Sequence, residues 1–187
     1  MKKILIAALV GGVVAFLWGF VSWAALGFSN QYTHEFENED AVLAALAEGA
    51  TEPGFYLVPG MRDADGEMRD MEAWQQMSSE GPYAQVMLRP EGMDHNPAMM
   101  MPRGLLLEIV AALLIALLVA GTGPSASFVG RARVGFLMGL FAGVAGPMIN
   151  WNFMGAPLEW SLFLVMDTLV TWTLAGIGVA AVLKPAE

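Results

Sequence analysis

The chain has 187 residues, of which 56% are hydrophobic and only 14% charged, and a formal net charge of −9. Soluble domains carry about 25% charged residues, so this composition argues for lipid as the surrounding solvent. Cysteine is absent, which excludes disulfides, thiolate nucleophiles and Cys-based metal sites. The acidic balance excludes a nucleic-acid partner.

The apolar residues are clustered into four stretches, so the sequence predicts an α-helical membrane protein with four transmembrane helices. The first is expected over 4–26, uncharged from Ile4 to Leu26. It opens behind Met1-Lys2-Lys3 as a secretory leader would, but its apolar run exceeds the roughly 15 residues of such a leader, so it is read as a retained span. The second is expected over 103–121, broken by Glu108, the third over 134–149, and the fourth over 160–183, broken by Asp167. Crossing the hydrocarbon takes roughly 17–25 residues of helix, and helices satisfy their own backbone there.

Between the first two spans, residues 27–102 are expected to form a small α/β extracytoplasmic domain. Asn38 followed by Glu39 and Asp40 marks a helix start, continuing through Ala47 to a stop at Gly49. Phe55 to Val58 lies between two Pro-Gly pairs and reads as a strand. Glu67 to Met77 reads as a second helix and Tyr83 to Leu88 as a second strand. Asp63-x-Asp65-Gly66-Glu67 begins like a calcium loop, but its twelfth position is Trp74, not Glu, so a solvated turn is expected. The cluster of His34, Glu35, Glu37, Glu39 and Asp40 reads as a solvated acidic face.

Charge orients the spans. Lys2, Lys3, Arg131, Arg133 and Lys184 all fall in segments on one side, which the positive-inside rule makes cytoplasmic. Both termini and the loop 122–133 are then expected inside, with residues 27–102 and the loop 150–159 outside. Fourteen of the eighteen acidic residues lie in the outer segment. Trp23, Trp151 and Trp160 fall at the outer helix ends, as an interfacial aromatic belt requires. The expected location is the bacterial inner membrane, with the main soluble domain periplasmic.

Small residues recur every fourth position: Ala7, Gly11, Ala15 and Gly19 in the first span, Ala112, Ala116 and Ala120 in the second, and Gly135, Gly139 and Gly143 in the third. Each series forms one smooth stripe that allows close backbone approach in lipid. The contact surface it offers serves either the bundle or neighbouring integral membrane subunits.

The intramembrane polar candidates are Asp167, Glu108 and Thr171. Asp167 lies about 10 Å along its helix from Trp160 and is expected near mid-membrane. Thr168 and Thr171 are placed to donate to it. Glu108, five residues from Arg103, is expected to be shallower and within reach of the outer interface. Such acids suit a proton or cation path, or a hydrogen-bonded lock between helices. A weaker metal candidate is His95 with Met93, Met99 and Met100, since thioethers and imidazole suit Cu(I). No Gly-x-Ser-x-Gly, HExxH or P-loop occurs, so no enzymatic activity and no cofactor are expected.

Short motifs along most of the chain resemble a set of uncharacterised bacterial four-span inner-membrane proteins with no assigned activity. They are Trp18-Gly19, Ser22-Trp23, Phe36, Glu39-Asp40-Ala41-Val42, Gly54-Phe55-Tyr56 with Pro59, Gly81-Pro82, and Asn150-Trp151-Asn152-Phe153 leading to Asp167. Where that family carries Leu-Pro-Trp-His, this chain has Leu26-Gly27-Phe28-Ser29. The resemblance implies topology and no chemistry. The composite expectation is a non-catalytic accessory subunit of a larger respiratory or photosynthetic membrane complex, in contact with lipid and other subunits. A small cation-coupled transporter and a copper-handling protein are the alternatives.

Overall fold

Four long apolar helices dominate the computed structural model, which describes residues 1–123 and 125–184. Two units are distinct: residues 1–34 with those from 96 onward, and Glu35–His95.

In the first unit, α1 (Lys2–Gly19) continues as a π-helical turn over Phe20–Ala25. α4 (Pro97–Gly121) is capped by the Asn96 side chain and carries proline in its first turn, where no intrahelical N–H is lost. α5 (Phe128–Gly143), capped by Ser127 Oγ, runs through a π turn (Val144–Met148) into α6 (Ile149–Met154). Pro147 sits inside that π turn, where a widened turn tolerates its missing N–H. α7 spans Leu158–Val182. Each of the continuous stretches Lys2–Ala25, Pro97–Gly121, Phe128–Met154 and Leu158–Val182 is long and apolar enough to cross a membrane.

The helix limits differ from the sequence expectation chiefly at three ends, and at one of them α5 begins at Phe128 rather than 134, because the Ser127 cap starts the helix ahead of Arg131 and Arg133. α4 begins at Pro97 rather than 103, because Asn96-Pro97 is a strong start that precedes the apolar run. The third helical stretch extends to Met154 rather than 149 and stops at left-handed Gly155 (φ 70°), so most of the expected loop 150–159 is helical. In the loop 122–133, Pro124 lies outside the described residues, as do residues 185–187 at the C-terminus.

α1 packs against both α4 and α7, and α7 against α5. The glycine stripe of α5 faces α7. A Cβ at Gly135 would overlap the Trp172 carbonyl and lie 2.6 Å from Gly176 Cα, and one at Gly139 would lie 3.1 Å from Leu169 Cα. At Gly143 the closest atom would be Val165 Cα at 3.1 Å. On α1, a Cβ added at Gly11 would meet Val179 at 2.7 Å and Ala112 at 3.2 Å, and one at Gly12 would meet the Ile109 backbone at 2.6 Å. Gly19 is the exception, with open space around it. The packed core gathers Ala7, Ala8, Ile115, Ala116, Val119, Val179 and Leu183. With interfaces this small in side chain, attraction comes from many backbone-to-backbone contacts.

The second unit contains α2 (Glu39–Gly49), β1 (Gly54–Val58), α3 (Met71–Glu80) and β2 (Ala84–Leu88). The strands pair antiparallel, with Gly54 opposite Leu88 and Val58 opposite Ala84. α2 is capped by Asn38, which accepts from Ala41 N–H at 3.1 Å. α3 starts at Asp70, later than the expected Glu67, because Asp70 accepts from both Glu72 N–H and Ala73 N–H. The Asp63 turn is closed internally: Asp63 Oδ1 accepts from the backbone N–H of Asp65 and Glu67, each at 3.0 Å. No residue of this unit is buried.

Replacing Gly135 by Ala is expected to lower thermal stability in detergent by about 1–3 kcal/mol, through forced separation of α5 and α7. Gly19→Ala, with nothing to meet, is expected to leave the melting midpoint within error. Equal midpoints for the two variants would contradict the α5–α7 contact.

Candidate functional site

The polar centre of the four-helix unit is Asp167 on α7. Its Oδ1 accepts from Trp18 Nε1–H at 3.0 Å and from Ser22 Oγ–H at 2.6 Å, while Oδ2 accepts from Trp23 Nε1–H at 2.9 Å. All three donors belong to the α1 segment. Trp18 and Ser22 are four apart and share an α-helical face. Trp23 is five from Trp18 and would point elsewhere in a regular α-helix. The π turn over Phe20–Ala25, with Leu26 N–H donating to Val21 O at 2.8 Å, puts residues five apart on one face. It swings Trp23 onto the same carboxylate.

Thr171 does not reach that carboxylate. Its hydroxyl donates to the Asp167 backbone carbonyl at 2.7 Å, the back-bonding common for Thr within helices. Around the node, Trp23 meets Trp160 edge-on at 6.0 Å and Phe163 at 5.6 Å, and Tyr32 stacks on Phe163 at 5.3 Å.

Glu108 is placed differently. It lies in a groove of about 350 Å³ between α1 and α4, with Phe16, Gly19, Phe20, Trp23 and Gly104 in the walls. Its Oε2 is buried and has no hydrogen-bond partner. The two acids stand at different levels along α1. Gly12 faces Ile109 and Phe16 faces Gly104, so Glu108 is level with the turn from Gly12 to Phe16, the middle of the helix Lys2–Ala25. Asp167 is level with Trp18 to Trp23, roughly 10 Å nearer the helix end at about 1.5 Å per residue.

A third polar centre, at the opposite end of the bundle, was legible only as a topological charge. Arg131 is 6% exposed. Its guanidinium donates to Ala126 O at 3.2 Å, Gly123 O at 3.1 Å and Leu183 O. The planar fork satisfies carbonyls from the loop before α5 and from the C-terminal end of α7, where a cation also meets the negative end of the helix dipole.

The packing glycines Gly11, Gly135, Gly139 and Gly143 face other helices of this chain, while Gly19 lines the groove. Of the metal candidates, Met93 and His95 are exposed residues before α4, and Met99 and Met100 lie in its first turns. Among the described residues, no three His, Asp or Glu side chains approach closely enough to hold a metal ion.

No protein-family model, curated protein or solved structure matches the chain.

Asp167→Ala would take the partner from the fully buried Ser22 hydroxyl, the half-buried Trp18 indole and the exposed Trp23 indole, and a buried orphan costs about 1–3 kcal/mol. The expected result, carried by Ser22 and Trp18, is a loss of about 2–3 kcal/mol in detergent unfolding, with a change in tryptophan emission from Trp18 and Trp23. Ser22→Ala is expected to cost about 1 kcal/mol. An Asp167→Ala variant as stable as the parent would remove the node from the fold. Arg131→Lys keeps the charge but loses the fork, so it is expected to lower the midpoint too, by about 1–2 kcal/mol.

Proposed function

We propose that the chain is a non-catalytic accessory subunit of a larger bacterial inner-membrane complex, respiratory or photosynthetic, with both termini cytoplasmic and Glu35–His95 periplasmic. The observation that carries this reading is the state of the Glu35–His95 unit. It has no buried residue, yet Phe36 is 70% and Met87 88% exposed, alongside Leu43, Phe55 and Met68. Phe55 and Met87 are cross-strand partners, so they form an apolar pair on the outward face of a two-stranded sheet. A two-stranded sheet is marginal by itself, and the exposed Phe55–Met87 pair on its face is apolar surface of the kind a partner covers. A partner protein on that face completes the unit.

The deep polar groups support the same reading. Asp167 and Arg131 are engaged within the chain, and the buried side-chain atoms left unpartnered in the four helices, among the described residues, are Glu108 Oε2 and Ser161 Oγ, fewer than the row of polar groups with which a transporter lines its path. The orientation is supported by Lys2, Lys3, Arg131, Arg133 and Lys184, which cluster where cytoplasmic charge belongs.

Extraction in mild detergent followed by native mass analysis is expected to give an assembly heavier than one chain. Met87→Glu, a change on an exposed strand position, is expected to release the partner while leaving the melting midpoint of the four helices unaltered. A lone monomer with no co-purifying subunit would overturn the proposal.

A further inference from the structure

The geometry points to the groove between α1 and α4 as a binding site for a neutral lipid-soluble molecule whose flat ring carries a hydroxyl donor, the chemical class of a quinol. This inference rests on the groove alone and stands apart from the assembly reading above.

Three features of the groove select that class. Its volume, about 350 Å³, is within the range of small-molecule sites, roughly 300–1,000 Å³. Its walls present the rings of Phe16, Phe20 and Trp23 beside Gly104 and Gly19. A Cβ at Gly19 would meet nothing within 4 Å, so that side is open volume rather than packed helix. The polar group in this apolar lining is Glu108, whose Oε2 has no partner. A buried acceptor without a donor is costly, and a hydroxyl on an incoming ring supplies one. The terminal torsion of Glu is broad and two-fold, so the carboxyl turns toward the donor with little cost.

Depth excludes the other occupants that a bilayer offers. The groove runs inward from Met101 and Ala24 to Phe16 and Glu108, and Glu108 is level with the middle of α1. A phospholipid headgroup could meet the carboxyl only by drawing its phosphate into the hydrocarbon. An acyl chain would fill the space but bring no donor. A neutral phenolic ring with an apolar tail meets both conditions. Trp23 is shared between the sites: its ring lines the groove while its Nε1–H is held by Asp167. The Asp167 node therefore fixes one wall of the groove.

The test is calorimetric titration of decylhydroquinone, under anaerobic conditions, into the full chain in detergent micelles. Saturable binding of one molecule per chain is expected. Glu108→Leu, which removes the acceptor and keeps an apolar side chain, is expected to weaken it about tenfold. Gly19→Leu fills the groove and is expected to abolish the saturable component, with helix content and melting midpoint retained. The dimethyl ether of the same ring has its shape without its donors and is expected to bind about tenfold less tightly than the hydroquinone. Equal uptake by the parent chain and Gly19→Leu would mean partition into the micelle only and would overturn the site. Equal affinity of hydroquinone and dimethyl ether, or an unaltered affinity in Glu108→Leu, would reduce it to an apolar crevice and overturn the role of Glu108.

Discussion

The carboxylate of Asp167 holds α7 to α1 through three donors, and the other contacts of the bundle depend on where that attachment sets the two helices. The α1–α7 interface sets Gly11 against Ala175 and Val179, and Gly178 against Val10 and Val14, so it is a close contact of small side chains. Helices that cross a membrane gain no hydrophobic force pressing such surfaces together. Directional hydrogen bonds from Trp18, Ser22 and Trp23 to Asp167 add a register to that contact. Once α7 is fixed on α1, its other face, with Trp172 and Gly176, meets the glycine stripe of α5. The Arg131 fork then ties the far end of α7 to the loop before α5.

This arrangement explains why Asp167, costly as a carboxylate in an apolar bundle, is retained there. A buried polar network strengthens a fold only when each member is satisfied. Both oxygens of Asp167 have partners, and each donor has Asp167. The π turn that brings in Trp23 makes the set complete, and a regular α-helix at the end of α1 would have left Oδ2 open. Irregularity in the helix and saturation of the acid are one feature seen from two sides.

Much of this was legible in the sequence, and the misses have identifiable causes. The four apolar helices follow from uninterrupted hydrophobic runs, and the α5 stripe from glycines at every fourth position. Caps at Asn38, Asp70, Asn96 and Ser127 set helix starts, and Asn96-Pro97 starts α4 ahead of the apolar run that marks it in the sequence. A 3.6-residue period carries no sign of the π turn, so the sequence shows Trp23 only as a belt residue. Spacing alone puts Gly19 in the packing stripe, although open space surrounds it. The sequence shows Arg131 only as a charge, since nothing local signals that its partners are carbonyls, one of them fifty-two positions away.

Two acids, Asp167 of α7 and Glu108 of α4, thus lie against different sides of α1 in opposite environments, and the residue between them accounts for the difference. Trp23 offers its single N–H to Asp167 and its ring to the groove of Glu108. An indole has one donor and no acceptor, so it can satisfy one acid only. Asp167 also draws on Ser22 and Trp18, the remaining donors on that stretch of α1. The α1 residues that line the groove near Glu108 are Phe16, Gly19, Phe20 and Ala24, whose side chains carry no donor. The unpartnered Oε2 of Glu108 is therefore a consequence of how the donors of α1 are distributed around its circumference. The same distribution that locks α7 in place leaves the α4 side apolar, aromatic and short of one hydrogen bond.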